Sequence, residues 1–263
     1  MRNIKKSVAF TLTEILIVIG IIGIISALAI PNLNKSVSNQ EKVTKLKKIY
    51  AELNQAHNAA VIKYGPLNTW FTNDNCESGY DCLAAKNRYF DRITEFMKLQ
   101  KNCETTLRGC MPEIAKELND RDYGSIDTDI EPRVILAGGW SFGVHNFYDK
   151  RTSSTYTGYK TNGDGAQIFV DIDGPNKGKN TYGIDLFSFI VTTDGIYPRG
   201  GGGYWNDDKM KVYCFYYGTD CAAWIINTGN MDYIDASRGN NSGEGSGICK
   251  NGHQLTIAEP SCR

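Results

Sequence analysis

A single carboxylate stands inside an apolar run near the start of the chain. Residues 10–33 read FTLTEILIVIGIIGIISALAIPNL, and Glu14 is the only ionisable side chain between positions 10 and 31. Placing a carboxylate in hydrocarbon costs roughly 2.5 kcal/mol or more at mid-bilayer and less near the interface. Such a group calls for a positive partner, expected here on another subunit. A second grouping, Asp171, Asp173, Asn176 and Asp185, lies in and beside the sequence VDIDGPNKGKNTYGIDLF at 170–187. Hard oxygens on a tight loop suit calcium. The spacing is not that of an EF-hand, and the favoured alternative is a hairpin connection that uses Asp, Gly, Pro and Asn for turn geometry.

The third grouping is eight cysteines, Cys76, Cys82, Cys103, Cys110, Cys214, Cys221, Cys249 and Cys262, all beyond residue 75. An even count outside the apolar run argues for disulfides formed in an oxidising compartment. Eight cysteines allow about 105 pairings. The simplest are the local ones, 76–82, 103–110, 214–221 and 249–262, with five, six, six and twelve residues between partners. There is no CxxC, and His57, His145 and His253 are the only imidazoles, which disfavours zinc. No GxSxG, HExxH or Walker sequence is present, and the glycine run at 200–203 lacks the Lys-Ser/Thr of a phosphate loop. These absences point away from an enzyme. Tyr204, Trp205, Tyr216 and Tyr217 are candidates for sugar or peptide contact, although such residues more often pack.

The elements that must carry these groups follow from the pattern. At ~1.5 Å per residue the apolar run makes a helix of about 30 Å, the thickness of a bilayer core. Arg2, Lys5 and Lys6 precede it without an acid, which predicts a cytoplasmic N-terminus and an exported remainder. Gly20, Gly23 and Pro31 are points where that helix could bend or unwind. Leu33, Val37, Val43, Leu46, Ile49, Leu53, Ala56 and Ala60 then recur mostly at three- and four-residue steps, with Lys42, Lys45, Lys47 and Lys48 available to the other face. One long helix is predicted from about 10 to about 63, stopped by Gly65 and Pro66.

Beyond it, helices are predicted at 87–98 and 112–118. Strands are predicted at 134–137, 140–148, 155–160, 167–172 and 185–192, and long loops after 196. Trp224, Ile225, Ile226, Met231 and Tyr233 are read as core or subunit-contact residues. The chain carries 29 basic and 29 acidic residues; removing Arg2, Lys5 and Lys6 leaves 26 against 29, a net of about −3. That balance supplies no electrostatic reason to expect nucleic acid as a general ligand.

The sequence from Ala9 to Glu14, followed by the apolar run and Pro31, resembles the prepilin signature of type IV pilins and of the pseudopilins of type II secretion systems. The resemblance implies cleavage by a prepilin peptidase between Ala9 and Phe10, N-methylation of Phe10, and neutralisation of Glu14 by the Phe10 ammonium of a neighbouring subunit. The stretch at 170–198 and that at 220–233 resemble elements common in the C-terminal domains of pilin-like proteins, where calcium has a precedent. The expected fold class is α+β: a long N-terminal helix, its first half transmembrane and its second amphipathic, packed on an antiparallel β-sheet head with disulfide-stapled loops. Residues 1–9 would be leader, 10–31 the transmembrane or filament-core helix, 32–65 its amphipathic continuation and 66–263 an exported head. The implied partners are the prepilin peptidase, other pilin or pseudopilin subunits, an inner-membrane assembly platform and the membrane. The protein would be single-pass in the inner membrane before joining an extracytoplasmic filament. A competence-type subunit that handles DNA and a membrane-tethered ligand-binding or enzymatic domain that never polymerises are the alternatives.

Overall fold

The computed structural model describes residues 11–70, 83–106, 108–125, 131–148, 165–175, 177–202, 206–236, 245 and 247–262. The chain divides into two compact units, Met1–Glu41 and Lys42–Arg263. Helix α1, Leu12–Tyr64, contributes to each of them. It ends where Gly65 takes a φ of +85°, and the N–H of Gly65 closes the last turn on the Val61 carbonyl at 2.9 Å. Pro66 cannot continue the helix because it has no N–H to offer.

The transmembrane assignment of 10–31, and with it the single-pass inner-membrane location, is corrected. Among the described residues no helix is long and apolar enough to cross a membrane. The described residues form helices mixed with an antiparallel sheet. Gly20, Gly23 and Pro31 all lie within the continuous helical span of α1.

In the second unit, the sheet holds six antiparallel strands in the order β1-β4-β5-β6-β7-β8. They are β1 (Leu99–Glu104), β4 (Arg133–Leu136), β5 (Ser141–Tyr148), β6 (Gly165–Asp171), β7 (Leu186–Thr192) and β8 (Gly195–Pro198). A separate two-stranded ribbon pairs β2 (Ile114–Lys116) with β3 (Asp122–Ser125). Every residue of β6 and β7 is buried, so both sheet faces are covered there. Ala166, Ile168 and Val170 stand opposite Val191, Phe189 and Phe187, and all six join Val43, Leu46, Ile49, Leu53 and Ala60 of α1 in the main core. Tyr50 stacks on Phe189 with ring centroids 5.5 Å apart, and its hydroxyl donates to the Ile196 carbonyl at 3.0 Å. The opposite face carries Phe169 and Leu186, clustered with Met111, Ala115 and Tyr182.

Several predicted elements differ. The helix expected at 112–118 is strand β2. Its backbone pairs with β3, and its Lys116 N–H and carbonyl bond to Asn180 and Tyr182. The helix expected at 87–98 is α2, Leu83–Thr94, and β1 follows it. The loops expected after 196 contain regular structure: β8, a π-helix at Met210–Tyr216 and helix α3 at Ala222–Thr228. The strand expected at 155–160 lies outside the described residues.

Disulfides join Cys103 to Cys110, Cys214 to Cys221 and Cys249 to Cys262. The second connects the π-helix to the start of α3. Cys76 and Cys82 lie outside the described residues.

Candidate functional site

The N-terminal end of α1 is built by a reciprocal cap. The Thr11 N–H and hydroxyl both donate to Glu14 Oε2 at 2.8 Å, and the Glu14 N–H donates back to the Thr11 hydroxyl at 3.3 Å. This is a capping box, in which a Thr and a Glu three residues apart satisfy donors that the first helical turn would otherwise leave open. The T-x-x-E spelling at 11–14 is the sequence signal for this cap. Ala9 and Phe10, the residues of the expected cut and methylation, lie outside the described residues.

Past the cap, the helix exposes apolar side chains in succession. Ile15, Leu16, Ile17, Val18 and Ile19 are each about half exposed, at 47, 55, 57, 52 and 57%. Ile21, Ile22, Ile24 and Ile25 are exposed as well. At about 100° per residue, five consecutive positions circle the helix, so no polar face remains.

The β6–β7 connection carries the second candidate. Asp171 Oδ1 accepts the N–H groups of Asp173 and Gly174, both at 3.0 Å. Asp185 accepts from Thr181 at 2.6 Å and from Asn180 at 3.0 Å, and also from the N–H of Lys179. Both carboxylates thus fix turn geometry, as Asp commonly does. Gly178, at φ +76°, sits against Asp173 and Asp185, and a Cβ there would overlap Asp185 Oδ2. Asp171 Oδ2 is buried and has no hydrogen-bond partner among the described residues. Burial, and secondarily the charges of Asp185 and Asp173, push the Asp171 carboxyl up to about 7; its two backbone donors pull the other way. Burial also raises Asp185, opposed by its three backbone donors and by Lys42. Asn176 lies outside the described residues.

Two ionic groups carry no motif in the sequence, because burial rather than spacing distinguishes their members. Glu131 and Arg133 are both buried; Arg133 Nη2 lies 3.4 Å from Glu131 Oε2, and Nη1 donates to the Thr105 carbonyl at 2.8 Å. His145 Nδ1 contacts Glu131 Oε1, and its ring packs 4.8 Å from Phe169. Arg199 Nε lies 2.6 Å from Asp220 Oδ1, and burial pushes Asp220 up to about 6 against the Arg199 charge. Among the described residues, no three His, Cys, Asp or Glu side chains converge to hold a metal ion. Gly200 of the glycine run has a packing role: a Cβ there would overlap the Asp220 carbonyl oxygen. Tyr216 is buried, as are Trp224, Ile225, Met231 and Tyr233, while Ile226 packs half-buried against the same core. Tyr204 and Trp205 lie outside the described residues.

Compared with known proteins, the chain matches no family model, no curated protein and no solved structure.

Proposed function

We propose that this chain is a pilin-like structural subunit, of a type IV pilus or a type II secretion pseudopilus. It is processed by a prepilin peptidase between Ala9 and Phe10 and assembled into a helical filament through α1. The observation that carries the reading is the apolar belt of α1: side chains from Ile15 to Ile25 are exposed around the helix, with one acid, Glu14, at its start. An apolar surface on all sides of a helix calls for several neighbours rather than one, since exposed apolar patches of this extent mark interaction surfaces. Copies of the same helix supply such neighbours, and they supply them at equal spacing.

Glu14 fits this arrangement in two ways. Within its own chain it completes the Thr11 cap. In a filament its carboxylate would meet the Phe10 ammonium of the next subunit, and pairing offsets the cost of burying both charges while fixing register. Mass spectrometry of the native N-terminus is the test. Methylated Phe10 as first residue, together with loss of filament incorporation for Glu14→Ala, is expected. An intact Met1 in a chain that never polymerises would sink the reading.

A further inference from the structure

The resemblance carries a precedent for calcium on the β6–β7 connection, and the donor set does not fit it. Calcium takes about six to eight oxygens. Asp185 has given its oxygens to three backbone N–H groups and Asp171 Oδ1 to two. Asp173 Oδ1 faces Lys45 Nζ at 3.4 Å. Among the described residues, the side-chain oxygens of the connection left without a hydrogen-bond or ion-pair partner are Asp171 Oδ2, Asp173 Oδ2 and Asn180 Oδ1, fewer than such a shell takes, and no three His, Cys, Asp or Glu side chains converge there to hold a metal ion.

Positive charge reaches the connection from α1 instead. Lys45 touches Asp173 directly, and the charge of Lys42, three residues earlier, acts on Asp185. Residues three apart lie on one helix face, so Lys42 stands on the face of α1 that presents Lys45 to Asp173. We infer that the β6–β7 connection takes the ammonium groups of Lys42 and Lys45 as its counter-ions in place of a divalent cation. A Lys suits this role because it is a point charge on a flexible stem that needs no fixed coordination geometry. The pairing ties the 42–45 turn of α1 to the connection between the two most buried strands of the sheet. It is independent of whether the chain polymerises.

The test uses the full-length chain. Its thermal midpoint is measured in EDTA and in millimolar CaCl2, alongside a calorimetric titration with CaCl2. The expected result is no binding heat and midpoints within about 1 °C of each other. A double-mutant cycle of Lys45→Met and Asp173→Asn separates the ion pair from lost packing. Each single change is expected to lower the midpoint by about 1–3 °C, with the double variant no worse than either single. Lys45→Arg should keep the midpoint, and Lys42→Met with Lys45→Met should lower it further than Lys45→Met alone. A calcium-dependent rise of several degrees in the unmodified chain would overturn the inference, as would fully additive losses in the cycle. Should the double-lysine variant fail to fold, the single-site cycle and the calcium titration decide the matter by themselves.

Discussion

Two stretches of one helix meet opposite fates. Residues 43–60 of α1 bury Val43, Leu46, Ile49, Leu53, Ala56 and Ala60 and, His57 apart, leave their polar residues exposed or half-exposed. Residues 15–25 bury none of their large apolar side chains. Both are helical, so local propensity does not separate them. The difference lies in angular distribution. A stripe repeating every three or four residues can be covered by one sheet, whereas apolar residues at every angle can be covered only by surrounding neighbours. The first stretch is covered by the sheet; the second is left exposed among the described residues.

The comparison is broken most directly by truncating one residue in each stretch. Leu46→Ala removes a fully buried side chain and is expected to cost about 2–5 kcal/mol, lowering the thermal midpoint by roughly 4–15 °C. Ile19→Ala, at an exposed position, should leave the midpoint within about 1 °C while weakening self-association, measured by sedimentation or filament yield. Equal losses in the two variants would show that the apolar belt already packs within one chain.

The pH dependence of stability sharpens the picture of the head. Asp171 is raised by burial from 3.8 to about 7. Between those values the folded chain holds a proton that the unfolded chain has released, so stability falls as pH rises from about 4 to about 7. Asp171→Asn keeps an oxygen for the two backbone donors and should remove that slope, a gain on the order of 2–4 kcal/mol at pH 8 in chemical denaturation. His57 works in the opposite sense. Burial lowers it from 6.5 to about 4, so the unfolded chain binds the extra proton and stability falls as pH drops through that window. His57→Gln should flatten the acid limb.

Smaller effects come from the staples and the surface. Replacing Cys103 and Cys110 together by Ser opens a short loop and is expected to cost about 2–3 kcal/mol by the chain-entropy estimate, read as a lower midpoint. Lys48→Ala, which removes an exposed i,i+4 pair with Glu52 at 3.7 Å, should change stability by less than about 0.5 kcal/mol.

Much of the sheet is legible in the sequence. The segments at 167–172 and 185–192 read as strands because they carry apolar and branched residues bounded by Asp, Gly and Asn, and β6 and β7 occupy them. The local cysteine pairings were legible too, since a loop of six to twelve residues closes readily, and three of them form. Strand β1, with the polar spelling LQKNCE, gave no periodic signal. Its partner β4 creates it. Strand β2 misled because Ile114, Ala115 and Leu118 imitate helical spacing, while backbone bonds to β3, Asn180 and Tyr182 decide the matter. The π-helix at Met210–Tyr216 looks like neither period and is tied off by the Cys214–Cys221 bond.

At the candidate sites the division is the same. The lone acid, its cap and the apolar belt are properties of contiguous residues, and contiguous residues determine helix, cap and hydropathy through interactions reaching no further than four positions. The sequence therefore specified a helix that cannot hide its apolar surface by itself. Only the tertiary structure decided that Lys45 meets Asp173 across 128 residues of chain, that Arg199 meets Asp220, and that Asp171 loses its water. Charge pairing and desolvation depend on distances in space, and those are set by how the sheet packs rather than by any neighbour in the chain.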